Sequence, residues 1–226
     1  MGRHVVRRVA ELGDDLVLAP ERFDPRRTVA VSTTRRLADL ADVVTENVQA
    51  SSFDARARVL VLDTSHAWEG FVLVRLPPAA PSAIGSAKRS LRPGDVIISR
   101  LRPYLRQVAL VDDALFELAP GGNAVVASTE FYVLRGKAGF DAACLVPYLL
   151  AAAVQTALAA GQEGGHHPRF EREQLEQLPI PRFLPARAAA LGAEMRALAH
   201  TLRATLLGGR ALIADLERRL APKRRT

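Results

Sequence analysis

The chain is poor in the residues that most directly declare a chemistry. Its single cysteine, Cys144, excludes an internal disulfide and lies in an apolar helical run, where a small core side chain is the simplest reading. Lysine occurs only at Lys88, Lys137 and Lys223, and none follows an acidic pair, so the carboxylate-and-lysine grouping of a nuclease is missing. No glycine-rich loop follows a first strand and no Asn/Asp-Pro-Pro-aromatic motif occurs, which removes a methyltransferase and leaves no cofactor to expect. A membrane span needs roughly 20 uncharged apolar residues. The longest apolar run, residues 142–160, is alanine-rich and interrupted by Pro147 and Gln155, so it reads as a core helix. The first residues, MGRHVVRRVAELGDD, lack the apolar centre of a secretion signal. A cytoplasmic chain with no membrane partner is the expectation.

What the chain does have is apolar content and positive charge. With 226 residues and 49% hydrophobic content it can bury a core of ordinary size plus an appendage. A formal charge of +7, carried almost wholly by arginine, suits a polyanionic partner. Arginine-richness is equally what a GC-rich genome produces, and composition alone leaves both readings standing.

The most informative stretch is residues 91–111, LRPGDVIISRLRPYLRQVALV. Pro93-Gly94-Asp95 is a turn signal and Val96-Ile97-Ile98 a buried strand, with a second strand at the far end of the segment. Arg100, Arg102 and Arg106 fall around Pro103 and Tyr104 in the connection, where guanidinium groups and a phenol suit phosphates and base edges. A solvated hairpin end fits the same residues.

Around this stretch the period is mostly two. Residues 1–36 are a mixed lead-in segment. Leu37 to Val44 reads as a short helix feeding a strand, Val59 to Leu62 as a buried strand, and Trp68 to Val74 as a turn into another. PPAAPSAIG at 77–85 is a loop, after which Lys88 and Arg89 add charge. Val125-Val126-Ala127 and residues 130–134 are further strands.

From Asp141 the period becomes about 3.6, with Leu145, Tyr148, Leu149, Ala152, Ala153 and Leu158 on one side of a helix packed on the sheet. GQEGGHHP at 161–168 breaks it. Beyond Pro185, residues 186–221 form a long helix whose seam is Leu191, Met195, Leu198, Leu202, Leu206, Ile213, Leu216 and Leu220, loosened or kinked at Gly208-Gly209. Residues 222–226 are a basic tail. Such a stripe must pack back on the domain or on another chain. The fold class is therefore α+β: a mostly β domain over residues 37–185 with packed helices, then a long C-terminal helix.

The series LRPGDVIISR at 91–100, ASTEFYVLR at 127–135, Tyr148-Leu149-Leu150, Gly164-Gly165 with Arg169, and LEQLPIP at 175–181 before a helix resembles the specificity subunit of type I restriction-modification systems. The resemblance covers residues 36–220 and implies one target-recognition domain plus one spacer helix, half of the usual pair. It implies a non-catalytic reader of double-stranded DNA in an antiviral defence system. The partners it implies are a DNA adenine methyltransferase subunit and a restriction or translocase subunit, with a homodimer supplying the missing half. The usual glutamine before the spacer helix is replaced by Phe183-Leu184-Pro185-Ala186-Arg187, which bears on methyltransferase docking.

The residues expected to contact DNA are thus Lys88, Arg89, Arg100, Arg102, Tyr104, Arg106, His166, His167 and Arg169, and the seam residues are expected to dimerise. His166-His167 lacks a second ligand cluster, so no metal is expected. Asp63, Ser65 and His66 are neighbours at a strand end and point in different directions, which rules out a hydrolytic relay. The competing reading is a protein-interaction scaffold of a defence complex whose recognition fold no longer binds specific DNA.

Overall fold

The computed structural model describes residues 6, 8, 9, 29, 33–74, 77–118, 124–163 and 168–220. The lead-in before residue 33 lies mostly outside the described residues, as do the Gly121-Gly122 loop, His166, His167 and the basic tail. In chain order the elements are β1 (Ala41–Val44), β2 (Asn47–Val48), β3 (Val59–Leu62), β4 (Ala67–Trp68), β5 (Phe71–Val72), β6 (Lys88–Ser90), β7 (Val96–Ser99) and β8 (Val108–Leu110). They continue with α1 (Asp113–Glu117), β9 (Ala124–Ser128), β10 (Phe131–Gly136), α2 (Leu145–Leu150), α3 (Ala152–Ala160), β11 (Gln162–Glu163), β12 (Arg169–Phe170), α4 (Arg172–Glu176), α5 (Phe183–Ala186) and α6 (Ala188–Leu220). This is an α+β architecture.

Two four-stranded sheets, β1-β10-β7-β8 and β2-β6-β9-β3, share their chain path, because β1 runs into β2, β6 into β7 and β9 into β10. The first is antiparallel throughout, whereas β3 and β9 in the second are parallel. β7 is apolar from Val96 to Ile98 for a physical reason: it is buried on both faces, and only its last residue, the buried Ser99, is polar. Ile97 joins Phe131, Val133 and Ala109 in the core between the sheets. Val96 and Ile98 join Tyr132, Leu134, Val108 and Leu110 in the larger core under the helices.

The helical run after Asp141 is not the single helix its period suggests. Asp141 caps a 3-10 turn over Ala142–Cys144, accepting from the Ala143 N–H at 3.1 Å, and α2 follows. At Ala151 the backbone turns extended (φ −60°, ψ 137°), and the two helical pieces meet at 76°. Ala152 and Ala153 consequently face solvent, while Val154, Ala157 and Leu158 are buried. The break exposes two carbonyls, and both find donors: Gln155 Nε2 reaches Leu149 O at 2.6 Å, and Arg106 Nη1 reaches Leu150 O at 3.0 Å. No single helix among the described residues is long and apolar enough to cross a membrane.

The long helix α6 holds 33 residues and runs continuously through Gly208 and Gly209, so the expected kink there does not occur. Neighbouring helical hydrogen bonds carry the cost of two glycines, about 1 kcal/mol each relative to alanine. Its first half lies on the domain through a face of small residues, with Ala188, Gly192, Met195 and Ala199 buried and Leu191 packed against the helical core. Gly192 makes the close approach possible, since a Cβ there would sit 2.0 Å from an Asp141 carboxylate oxygen. Three arginines then fasten the helix along its length: Arg196 to Asp141 at 2.6 Å, Arg203 to Asp112 at 2.6 Å, and Arg210 to Val74 O at 2.9 Å. The second half presents Leu206, Ile213, Leu216 and Leu220 to solvent, at 41–73% exposure. The expected seam is therefore divided: Leu191 and Met195 cover the protein's own core, Leu202 is half-buried, and Leu198 and the distal residues are exposed.

Candidate nucleic-acid interface

The connection between β7 and β8 is a tight basic turn. A 3-10 turn over Pro103–Leu105 is bracketed by Arg102 (φ +46°) and Arg106 (φ +53°), both left-handed, a conformation that costs a side-chain-bearing residue about 1–2 kcal/mol. Pro103 is buried and pins the turn, leaving Arg102, Tyr104 and Leu105 exposed. The Arg102 guanidinium has no hydrogen-bond or ion-pair partner among the described residues. Arg106 is differently placed: it donates to Glu69 Oε1 at 2.8 Å as well as to Leu150 O, so it ties the turn to the β4–β5 hairpin and to the end of α2. The Glu69 N–H also donates to Arg106 O at 3.2 Å, which brings Trp68, 52% exposed, beside the same turn. Proximity to the basic turn was invisible in the sequence, where 34 positions separate Trp68 from Arg102.

A second group forms where β7 ends. Glu130, in the tight turn between β9 and β10, accepts from Arg169 at 2.8 and 3.1 Å and lies 3.6 Å from Arg100 Nε. The backbone locks this arrangement: the Arg100 N–H donates to Glu130 O at 3.0 Å and the Phe170 N–H to Arg100 O at 3.2 Å. The Arg100 guanidinium stands 5.8 Å from the Tyr132 ring centre. Tyr132 itself donates to Phe170 O at 3.1 Å, and burial before all else pushes its phenol above the ordinary range. Arg89, on β6, donates from Nη1 to Thr45 O, while Lys88 donates to Ser86 O at 2.9 Å and Ser86 Oγ at 2.7 Å.

Of the nine expected contact residues, Arg100 and Arg169 are thus drawn together around Glu130, with Leu101 bridging to Arg169, and the exposed Arg102 and Tyr104 follow directly in the chain. His166 and His167 lie outside the described residues. Glu130, Tyr132 and Arg172 were not singled out from the sequence; the available signal was the Thr129-Glu130 turn between two apolar strands. Asp63, Ser65 and His66 form a cap rather than a relay: Ser65 Oγ donates to Asp63 at 2.6 Å and His66 Nδ1 accepts from the Asp63 N–H at 3.1 Å. No group of three or more metal-ligating side chains occurs among the described residues.

No family model matches the chain, and no curated protein sequence does. Solved structures do. One, described as the HsdS subunit from Thermoanaerobacter tengcongensis, superposes with a TM-score of 0.53 at 23% identity over 81% of this chain. The chain shares the fold of an HsdS subunit. A second similar chain comes from a structure of a type I R-M system described for its complex assembly and conformational transition, with a TM-score of 0.56 at 20% identity over 85% of this chain. The likeness covers 45% of the first of those chains and 50% of the second, so this protein spans about half the length of the structures it matches. In this HsdS-like fold the two quoted motifs, at 91–100 and 127–135, contain the antiparallel partners β7 and β10, with Val96 opposite Leu134 and Ser99 opposite Phe131.

Proposed function

We propose that the protein is a non-catalytic, cytoplasmic specificity subunit of a type I restriction-modification or related methylation-linked defence system. It reads one DNA half-site and docks a DNA adenine methyltransferase. The observation that carries the reading is the HsdS-like fold presenting Arg102, which has no partner among the described residues, and exposed Tyr104 and Trp68 around one tight turn. Arginine on such a turn suits guanine edges and phosphates, and the aromatics suit stacking or sugar contacts. The exposed distal half of α6 supports a homodimer, in which two copies place identical domains at opposite ends of paired antiparallel helices. A helix of 33 residues extends about 50 Å at 1.5 Å per residue, enough to separate two half-sites along the duplex.

A scaffold reading draws on the same exposed stripe, which continues into an apolar cleft of about 310 Å³ between Leu73, Pro77, Pro78 and Leu118 of the domain and Leu206 and Leu207 of α6. Affinity purification from the native host, with methylome sequencing in the presence and absence of the protein, separates the two. A specificity subunit co-purifies with a methyltransferase, and its removal erases methylation at one bipartite motif. A scaffold leaves the methylome intact.

A further inference from the structure

We propose that Arg89, Arg100 and Arg172 form a seat for a single phosphodiester group, engaged without regard to base sequence. The proposal rests on the nucleic-acid reading and deepens it by separating a backbone-binding group from the exposed turn at Arg102.

Backbone bonds bring the three residues together from three elements. The β6–β9 pairing sets Arg89 opposite Ala127, and the turn that follows β9 supplies the Glu130 carbonyl that receives the Arg100 N–H. Arg100 O in turn accepts from Phe170, two residues before Arg172 opens α4. The pKa of Arg89 bears out the convergence: burial, then the charges of Arg100 and Arg172, pull it below the ordinary guanidinium value.

Local acceptors do not match these donors. Glu130 gives both oxygens to Arg169 and stays 3.6 Å from Arg100, too long for a hydrogen bond. Glu176 takes Arg172 at 2.7 Å. Thr45 O takes one nitrogen of Arg89. The Nε atoms of Arg89 and Arg100 are buried without an acceptor among the described residues. Unpaired buried donors and mutually repelling cations are both costly, and one ligand relieves both: an anion with several acceptor oxygens. A base edge supplies neutral acceptors and would leave the repulsion in place. A phosphodiester supplies oxygens and charge together, in the geometry a guanidinium fork matches. Arg172, whose side chain is 47% exposed, opens the group to solvent.

The test uses the full chain with two probes. Thermal unfolding is followed in inorganic phosphate and in chloride at equal ionic strength, for the wild type and for Arg172→Ala and Arg100→Gln. The seat requires a phosphate-specific rise in Tm that both variants lose. Duplex binding is then measured against salt. Arg172→Ala should weaken cognate and unrelated duplexes by the same factor and lower the slope of log affinity on log salt by about one. A wild type with no phosphate-specific rise overturns the seat, as does an Arg172→Ala protein that binds duplex unchanged or with altered sequence preference. A wild type that gains stability from phosphate but binds no duplex retains the seat for free phosphate and overturns the nucleic-acid reading instead.

Discussion

Arg135 donates two hydrogen bonds to Asp95, from Nε at 2.9 Å and from Nη2 at 2.7 Å, and so closes one end of the β7–β10 ladder. Asp95 is 1% exposed and also accepts from the Arg92 N–H at 2.8 Å, which fixes the Pro93-Gly94 turn, where Gly94 adopts φ +86°. At the other end of the same ladder stand Arg100 and Glu130. The strand pair is thus clamped by the Arg135–Asp95 ion pair at one end and by the Arg100 N–H donating to Glu130 O at the other, and the basic turn that follows β7 inherits its position from both.

Asp95→Ala should therefore be among the most damaging single changes. It strands a half-buried guanidinium and frees the turn, at a cost of roughly 2–4 kcal/mol, the lower figure reflecting the solvent that Arg135 retains. Urea unfolding measures it, and a loss within experimental error of zero would refute the clamp.

Arg102 and Arg106 should separate cleanly. Arg106→Ala removes the partner of Glu69 and the donor to Leu150 O, and should lower stability by about 1 kcal/mol. Arg102→Gly relieves a left-handed φ and removes a guanidinium with no partner among the described residues, so stability should hold or rise slightly while duplex affinity falls. Thermal melts beside fluorescence binding decide this. Equal behaviour of the two variants in both assays would mean that the turn does not divide its labour in this way.

Much of the β domain was legible because its signals are local. Val59 to Leu62, Val96 to Ile98 and the Pro93-Gly94 turn are what β-branched runs and turn residues dictate. The break at Ala151 was not legible, since alanine is the best helix former. That break depends on Gln155 and Arg106 capturing the freed carbonyls, and Arg106 lies 44 positions from the carbonyl it holds. The division of the α6 stripe was hidden for a related reason: a period of 3.6 marks an apolar face without saying what covers it. Which candidate arginines find carboxylates is likewise a matter of tertiary pairing, as Arg169 and Glu130 show across 39 positions.

The two halves of α6 should respond oppositely to charge. Met195→Glu buries a carboxylate beside Val146 and the helical core and should unfold the domain. Ile213→Glu with Leu216→Glu should leave the Tm of the domain in place and convert a dimer to a monomer in sedimentation equilibrium. A wild type that is already monomeric at micromolar concentration would end the homodimer proposal.

Burial, reinforced by the Asp141 charge, pushes the Cys144 thiol from the usual 9.0 up to about 12. The folded protein therefore favours the neutral thiol, so this group's contribution to stability is complete below pH 9.0 and is lost as pH rises towards about 12. At pH 8 a thiol-specific reagent should label Cys144 only after denaturant is added. Rapid stoichiometric labelling of the native protein would contradict the burial assigned to this site.

The central claim is sequence-specific DNA recognition, and selection from a randomised duplex library by the purified full chain tests it most directly, with enriched and unrelated duplexes then titrated across salt. The account predicts enrichment of a two-part inverted repeat, bound roughly 10³-fold or more tighter than unrelated duplex, with affinity falling steeply as salt rises. A library that emerges unenriched, with every duplex bound equally weakly or not at all, would contradict it.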